Sequence, residues 1–277
     1  MKEKILITDV TARDGLQALP KSIPTSSKLE LIRRLREAGC SSLEVTSFVN
    51  PQRVPQFYDA KELLAAIDFK DEAIVLIPNL RGLERALEVG VKRINLLSSA
   101  SDAFAKKNLG KDLGTHLIEL DKVLKLAQKE HLIVRASLSM AFYCPDEKEI
   151  PLHRLEEQFH FFSSRGVEEI ILCDTCSKAD SFLLKRSLSV FKTFPRIGLH
   201  LHAQNGRELP LIEEALGQGI RLFETGLKET GGCPFNEGSK SNTSTEDLVA
   251  LLQNLGQESG IDLASLREVQ NFYRTLI

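Results

Sequence analysis

Two histidines, His200 and His202, stand two residues apart in the apolar stretch GLHLHAQNG at residues 198–206. Successive side chains of a β-strand point to opposite faces, so these two imidazoles project from the same face. Such a pair can bind a metal ion through its ring nitrogens, or it can simply be two polar residues on a solvated face. The choice depends on which other polar residues the fold brings beside the pair.

The overall composition is that of a globular protein with no special partner. The 277 residues are 42% hydrophobic and 27% charged, and the net charge is −2, which gives no basic surface for nucleic acid. The chain contains no apolar run near the length of about 20 residues that a bilayer requires. Five cysteines in this length do not indicate a disulfide framework, and the first residues, MKEKILITDV, lead directly into an apolar strand. We therefore predict a reduced, cytoplasmic protein without a targeting peptide.

Short β-rich runs alternate with segments of helical periodicity along the whole chain. In SSKLELIRRLREAG, for example, Leu29, Ile32 and Leu35 fall on one helical face, and Gly39 is a plausible helix end. The predicted strands lie at 4–10, 41–47, 73–79, 93–99, 133–140, 169–175, 197–203 and 221–227.

Eight strands that alternate with helices predict an α/β fold, a single (β/α)8 TIM barrel over residues 1–277. The tail LASLREVQNFYRTLI predicts one extra C-terminal helix. An open, doubly wound sheet is the alternative. It usually carries a glycine-rich phosphate-binding turn after the first strand, whereas this turn reads TARDGLQ.

The polar residues that could do chemistry fall at or near the carboxyl ends of these strands, where TIM barrels place their active sites. Besides the histidine pair, these residues are Arg13, Asp14, Glu44, Asp174, Cys233 and Asn242. A carboxylate, an amide oxygen and two imidazoles form a mixed oxygen and nitrogen ligand set that suits Mg²⁺ or Mn²⁺. A zinc hydrolase is the alternative. It would be expected to have more histidine ligands at strand ends, but the other four histidines lie in predicted helices or at their ends.

Each of these features also has a purely structural interpretation. Arg13 and Asp14 could form an ion pair within a turn, and GGCP at 231–234 could be a rigid turn. CDTC at 173–176 has the CxxC spacing but no second pair, so it is weak evidence for zinc or redox chemistry. Because strand residues alternate, Cys173 should face away from Asp174, and we predict a packing role for it.

Five segments resemble the 3-hydroxy-3-methylglutaryl-CoA (HMG-CoA) lyases. They are RDGLQ at 13–17, EVTSFVNPQRVPQ at 44–56, SASDAFAKKN at 99–108, HLH at 200–202 and GGCPFNEGSKSNTSTEDLV at 231–249. Wider relatives include isopropylmalate and homocitrate synthases and 4-hydroxy-2-oxovalerate aldolase. The resemblance covers nearly the whole chain. It implies a Mg²⁺- or Mn²⁺-dependent, homodimeric enzyme of leucine degradation and ketone body formation that cleaves this acyl-CoA to acetyl-CoA and acetoacetate.

The resemblance also implies roles for individual residues. The metal ligands would be Asp14, His200, His202 and Asn242. Arg13 would face the thioester oxygen, Glu44 and Asp174 would line the site, and Cys233 would be the catalytic cysteine on a mobile loop flanked by glycines. Lys106, Lys107 and Asn108 are candidates by position for holding the CoA nucleotide, or they are only the solvated start of a helix.

Three segments depart from the pattern of the family. HAQNG replaces HDTYG or HDTRG, so Ala203 stands where the family has a carboxylate. DTCS replaces DTIG, and KETGGCP replaces AGLGGCP, which brings in Cys176, Ser177, Lys228 and Glu229. These changes leave open a different acyl group, a related 3-hydroxy-acid lyase or aldolase, or a barrel that binds metal or CoA without turnover.

Overall fold

The computed structural model describes residues 4–203, 206–231 and 241–277, and in this part of the chain eight parallel strands close into a barrel. The barrel strands are β1 (Leu6–Asp9), β2 (Ser42–Ser47), β3 (Ile74–Ile77), β4 (Arg93–Ser99), β5 (Ile133–Ser139), β8 (Glu169–Cys173), β9 (Ile197–His200) and β10 (Leu222–Thr225). A small antiparallel hairpin, β6 (Tyr143–Cys144) with β7 (Lys148–Glu149), follows β5. Strand β1 pairs with both β2 and β10, which closes the barrel.

Helices follow the strands and cover the outside of the barrel. They are α1 (Thr25–Glu37), α2 (Ala60–Ala66), α3 (Leu80–Leu87), α4 (Asp102–Leu109), α5 (Leu113–Lys129), α6 (Leu152–Ser163), α7 (Ser181–Val190), α8 (Glu208–Gly217), α9 (Thr245–Asn254) and α10 (Leu263–Arg274). Several begin at a side chain that accepts a hydrogen bond from a first-turn backbone N–H, as Asp112 does for α5 and Ser244 for α9. None of the helices in the described ranges is long and apolar enough to cross a membrane.

The predicted TIM barrel is confirmed, and each predicted strand overlaps one barrel strand. The observed strands start within two residues of the predicted starts and end up to three residues earlier. The extra C-terminal helix is α10, which packs against α1 and α9. The hairpin of β6 and β7 was not predicted, because strands of two residues carry no periodicity.

Alternate residues of each strand face either the helices or the inside of the barrel. In β5, Val134, Ala136 and Leu138 belong to the main apolar core, whereas Arg135 and Ser137 face inward. A small separate apolar cluster contains Leu6, Ile171, Cys173 and Leu222. Gly198 makes room for it, because a Cβ at this position would lie 2.7 Å from both Ile171 Cδ1 and Leu222 Cγ.

Candidate active site

Arg13 and Asp14 lie on a single π-helical turn, Thr11–Gly15, directly after β1. The carbonyl oxygen of Val10 accepts hydrogen bonds from the N–H groups of Arg13 and Asp14 at 3.1 and 2.7 Å. Asp9 supports the turn from below, because its carboxylate accepts the N–H of Thr11 at 2.9 Å. Such wide turns occur frequently at functional sites, and this one projects both side chains toward the carboxyl end of the barrel.

The guanidinium of Arg13 is held between two carboxylates. Its Nε donates to Glu44, and its Nη1 donates to Asp14 Oδ1 at 2.5 Å. Glu44 is fully buried, and its second oxygen accepts from Asn95 Nδ2 at 2.8 Å. Burial disfavours the charge on Arg13, but the facing carboxylates of Glu44 and Asp14 raise its pKa above the ordinary value. Arg13 is therefore a fixed cation at one side of the site.

Glu44 and Asp14 respond differently to this cation. Burial raises the pKa of Glu44, and the nearby charge of Arg13 only partly opposes that effect. Burial also disfavours the charged form of Asp14, yet Arg13 and His200 outweigh it and lower the Asp14 pKa. Of these two carboxylates, Asp14 is thus the one whose charged form its neighbours favour.

His200, the last residue of β9, is oriented by a carboxylate. Its Nδ1 lies 3.0 Å from Glu224 Oε2, and its Nε2 lies 3.2 Å from Asn242 Oδ1. Burial disfavours the imidazolium, but the hydrogen bond to Glu224 and the charge of that group raise the His200 pKa overall. Because Glu224 holds Nδ1, the other ring nitrogen, Nε2, faces Asn242 at the mouth of the barrel.

His202 lies next to His200 but is oriented by the backbone. Its Nδ1 lies 2.9 Å from the carbonyl oxygen of Asp174, and the two imidazole centroids are 5.0 Å apart. Burial, followed by the charge of His200, lowers the His202 pKa to about 4. A carbonyl oxygen can only accept, so Nδ1 carries the proton and Nε2 keeps its lone pair.

Asn242 is brought to the histidines by a short β-bridge. It forms an isolated antiparallel bridge with His202, and its N–H donates to the carbonyl oxygen of Thr230 at 2.9 Å. Its side-chain Nδ2 donates to Asp14 Oδ2 at 2.9 Å. The bridge thus places the amide of Asn242 between Asp14 and His200.

The donor set of these four side chains fits a divalent metal ion. Asp14 contributes a carboxylate, Asn242 an amide oxygen, and each histidine an Nε2 whose partner Nδ1 is already bonded. His200 Nε2 and Asn242 Oδ1 lie 3.2 Å apart, so two of the four candidate donor atoms already face each other. In residues 4–203, 206–231 and 241–277, no three His, Cys, Asp or Glu side chains are already gathered as a metal-binding group. The four residues are joined by hydrogen bonds instead.

A cavity opens above these residues at the carboxyl end of the barrel, and Arg13, Asp14 and both histidines line it. Its other walls combine apolar and polar side chains: Gln17, Leu76, Asn95, Leu97, Phe104, Asn108, Ser137, Ser139, Cys173, Thr175 and Glu224. A mixed lining with charged groups at one end is the usual character of a small-molecule site.

The prediction for Cys173 and Asp174 is only partly met. Cys173 packs in the small apolar cluster, as predicted, but it is also the residue of the two that lines the cavity. The carboxylate of Asp174 accepts the N–H groups of Lys178 and Ala179 at 2.9 and 3.1 Å, which fixes the turn after β8. Cys173 follows the inward-facing Ile171 by two residues, so strand alternation directs its thiol into the barrel.

The three candidates for CoA binding separate into two groups. Asn108 lines the cavity. Lys106 pairs with Asp102 and Lys107 with Asp146, each at 2.7 Å, and both lysine side chains are 61% exposed. Only Asn108 of the three therefore borders the cavity.

Cys233 lies outside the described residues, but Gly231, two residues earlier, lies against the site. Gly231 has a φ of +74°, and a Cβ there would lie 2.4 Å from Asn242 Nδ2 and 2.7 Å from Asp14 Oδ2. The backbone at Gly231 thus covers two of the candidate ligands. Of the residues that depart from the family pattern, Ala203 donates its N–H to Ser241, and the Cys176 thiol approaches the carbonyl oxygen of Tyr143 at 3.2 Å.

Sequence reasoning missed three polar residues inside the barrel, namely Asn95, Arg135 and Glu224. Each stands in a predicted strand directly after an apolar residue, in RINLLSS, IVRASLSM and RLFETGL. The signal that could have identified them is alternation: a polar residue that lies on the same face of a strand as the polar residues near its carboxyl end should also face the inside of the barrel. Arg135, Ser137 and Ser139 show it clearly, because they occupy alternate positions of β5.

A TIM barrel with an HxH pair, an Arg-Asp turn and an asparagine at its carboxyl end is a metallolyase-type enzyme. The family model described as HMGL-like matches residues 4–273, so the chain belongs to the HMGL-like family of lyases. It is 36% identical over 278 residues to human mitochondrial hydroxymethylglutaryl-CoA lyase, and the alignment covers 98% of this chain and 85% of the human one. The Bacillus subtilis hydroxymethylglutaryl-CoA lyase is 35% identical over 270 residues, or 95% of this chain and 90% of that protein.

Solved structures agree with the sequence comparison. The HMG-CoA lyase of Brucella melitensis superimposes with a TM-score of 0.92 at 32% identity and covers 99% of both chains. An HMG-CoA lyase from Acinetobacter baumannii, in complex with coenzyme A and 3-methylmalate, also has a TM-score of 0.92, at 30% identity over 99% of this chain and 91% of that chain. The carboxyl transferase domain of Rhizobium etli pyruvate carboxylase, at 16% identity and a TM-score of 0.72, shares the fold alone.

Proposed function

We propose that this protein cleaves 3-hydroxy-3-methylglutaryl-CoA to acetyl-CoA and acetoacetate. The observation that carries the proposal is the placement of Arg13, Asp14 and the two histidines around one cavity, with Asn242 in contact with Asp14 and His200. This arrangement provides a fixed positive charge on one side and a set of metal-binding atoms on the other. The lyases that the chain resembles support the choice of substrate.

The family implies a divalent metal, and we propose that Asp14, His200, His202 and Asn242 hold it as Mg²⁺ or Mn²⁺. When bound, the metal would acidify the C3 hydroxyl of the substrate and fix its geometry. Asp14 also accepts from Arg13 and Asn242, so it connects both sides of the site. Asp174 acts in this proposal through its backbone carbonyl, which orients His202.

Arg13 would stabilise the charge that forms during cleavage. In this retro-Claisen reaction the C3 hydroxyl loses its proton, the C2–C3 bond breaks, acetoacetate leaves, and the electron pair moves onto the thioester oxygen of the acetyl-CoA enolate. A guanidinium already held in place by Glu44 and Asp14 can meet that oxygen without rearranging. Since Glu44 is fully buried beneath Arg13, we assign it the role of positioning the guanidinium.

The enolate must then gain a proton at C2, and we propose that Cys233, or a water it positions, supplies it. Gly231 supports this role, because it stands two residues before Cys233 and lies close to Asn242 and Asp14. Asn108 is the candidate contact for the CoA portion, since it borders the same cavity. A cytoplasmic location and a homodimer remain predictions.

The test is a spectrophotometric acetoacetate assay on metal-free protein, with and without added Mg²⁺ or Mn²⁺. We expect acetoacetate release from HMG-CoA only when a metal is present, and none from the His200→Ala/His202→Ala double variant. Other 3-hydroxyacyl-CoA thioesters should be measured in parallel. Faster turnover of one of them would replace the proposed substrate, and metal binding without turnover of any would identify a non-catalytic barrel.

A further inference from the structure

A buried chain of charged side chains runs through the inside of the barrel and ends at His200. Arg135 Nε donates to Glu169 Oε2 at 2.7 Å, and Arg135 Nη1 donates to Glu224 Oε1 at 3.0 Å and to Thr8 Oγ1 at 3.1 Å. The other oxygen of Glu224, Oε2, lies 3.0 Å from His200 Nδ1. Glu224 is thus the link between the guanidinium and the imidazole.

This chain is not what packing alone would place inside a barrel. Glu169, Arg135 and Glu224 are at most 2% exposed, whereas branched apolar residues usually fill the interior of a TIM barrel. Moving a charged group out of water costs several kcal/mol per ion unless partners compensate. Glu224 receives that compensation from two partners, because Arg135 Nη1 and His200 Nδ1 each lie 3.0 Å from one of its oxygens.

The geometry also decides which nitrogen of His200 carries the proton. A guanidinium can only donate hydrogen bonds, so Arg135 fixes Glu224 Oε1 as an acceptor. The remaining oxygen, Oε2, lies 3.0 Å from His200 Nδ1, and as a carboxylate oxygen it requires that nitrogen to donate. With the proton on Nδ1, the lone pair of Nε2 points toward Asn242.

We propose that Glu224, held by Arg135, is a positioning residue that selects the Nδ1-protonated form of His200 and aims Nε2 at the divalent metal. The proposal rests on the ligand role of His200 in the proposed function. It assigns to Glu224 the task that the Asp174 carbonyl performs for His202. The difference is that an ionised carboxylate also increases the electron density on the imidazole, which strengthens it as a ligand.

The decisive variant is Glu224→Gln, which keeps the size of the side chain and removes the charge. Glutamine must direct its oxygen to Arg135, so its NH₂ faces His200 Nδ1, which then has to accept. The imidazole proton moves to Nε2 and blocks coordination. We expect Mn²⁺ binding to weaken about 10–100-fold, the usual effect of losing such a partner. Electron paramagnetic resonance of added Mn²⁺ measures this affinity without any substrate.

A second measurement follows the imidazole itself in metal-free protein. Long-range ¹H–¹⁵N correlation spectra, recorded well above the pKa of imidazole, distinguish the two neutral forms. We expect His200 to be protonated at Nδ1 in the wild type and at Nε2 in Glu224→Gln, with His202 unchanged. Because the wild-type spectrum alone tests the first half, the proposal stays falsifiable even where the variant does not fold. A wild-type His200 protonated at Nε2 would overturn it.

The matched control is Asp59→Asn, which also converts a buried carboxylate into an amide. Asp59 pairs with Lys28 at 2.7 Å and has no contact with His200, so this variant should lose stability but bind Mn²⁺ normally. His200→Ala distinguishes the ligand role of His200 from the positioning role of Glu224. If His200→Ala binds Mn²⁺ as tightly as wild type, the ligand assignment fails. If His200→Ala loses Mn²⁺ but Glu224→Gln binds it within twofold of wild type, only the role of Glu224 is rejected.

Discussion

The inside of the barrel and the layer between its strands and helices differ sharply, although the same strands supply both. The outer layer is apolar: Leu96 of β4, Leu138 of β5 and Leu172 of β8 are buried there against the helices. The inside contains polar residues such as Glu44 and Arg135, together with the small apolar cluster around Ile171. One period-2 alternation produces both surfaces.

The outer layer is the main source of the barrel's stability, whereas the inside supplies the side chains that could do chemistry. Apolar burial contributes about 25 cal/mol per Å² and is the main favourable term in folding, so the outer layer holds the barrel together. The polar interior gains little from burial and needs a partner for each charge, as Arg13 finds in Glu44 and Arg135 in Glu224. Exchange of a polar group at the active-site end of the interior should therefore impair function most directly, whereas truncation of a large apolar side chain in the outer layer should impair stability alone.

The largest expected effect on stability comes from the outer layer. Leu172 is completely buried in the apolar core on β8, and Leu172→Ala should lower the free energy of unfolding by about 2–5 kcal/mol. Chemical denaturation measures this loss. Mn²⁺ affinity and KM should stay close to wild type, because the residue faces away from the cavity.

The matched control for Leu172 is its neighbour on the opposite face. Cys173 lines the cavity, and Cys173→Ala removes only one sulfur atom, so the loss of stability should be much smaller than for Leu172→Ala. A change in KM with this variant is compatible with its place in the wall. Equal destabilisation by both variants would contradict the separation of the two layers.

Arg13→Lys should have the largest effect on the chemical step. Lysine keeps the positive charge but cannot bind Glu44 and Asp14 through a planar fork, so the cation moves away from the developing enolate oxygen. We expect kcat to fall about 10²–10³-fold, as when one such donor is removed elsewhere. KM and the unfolding free energy should change little, and steady-state kinetics with denaturation curves measure both.

The control for Arg13→Lys is Arg33→Lys on helix α1. Arg33 also pairs with two carboxylates, Glu30 and Glu37, but its side chain is 53% exposed. Its replacement should leave kcat unchanged. A kcat for Arg13→Lys within twofold of wild type would make Arg13 a turn residue and leave the charge on the enolate oxygen without a stabilising group.

Gly231→Ala tests how closely the loop backbone must approach the site. The positive φ of +74° costs an alanine about 1–2 kcal/mol, and its Cβ would collide with Asn242 Nδ2 at 2.4 Å. We expect weaker Mn²⁺ binding and lower turnover, because Asn242 and Asp14 must move apart. Gly256→Ala is the control, since it has a φ of +63° and nothing within 4 Å, and it should affect stability alone.

The sequence predicted the barrel well because its signals are local. Each strand is a short apolar run, and most of the candidate ligands sit at or beyond strand ends, as His200 does at the end of IGLH. The π-helical turn at Thr11–Gly15 was not predicted, since its hydrogen bonds to Val10 depend on how Asp9 and Thr11 meet the rest of the barrel. Short-range periodicity carries no information about such a turn.

The interior partners were missed for a different physical reason. Glu224 is 24 residues from His200 and 89 from Arg135 along the chain, and only closure of the barrel brings the three together. The error over Cys173 and Asp174 is of the same kind. Alternation shows that neighbours face opposite sides, but it does not show which side is inside until the register with β5 and β9 is fixed.

The smallest expected effect distinguishes Asn108 from the two lysines before it. Asn108 borders the cavity, so Asn108→Ala should remove one hydrogen bond to the CoA portion and raise KM about 2–10-fold at unchanged kcat. Lys106 and Lys107 extend into solvent and pair with Asp102 and Asp146, so Lys106→Ala and Lys107→Ala should change KM by about twofold or less. The measurement is KM for the CoA thioester at low and high salt, since contacts to phosphate weaken as salt screens them. A larger, salt-sensitive rise in KM for either lysine variant, with Asn108→Ala neutral, would move the CoA contact from the cavity wall to the exposed face of α4.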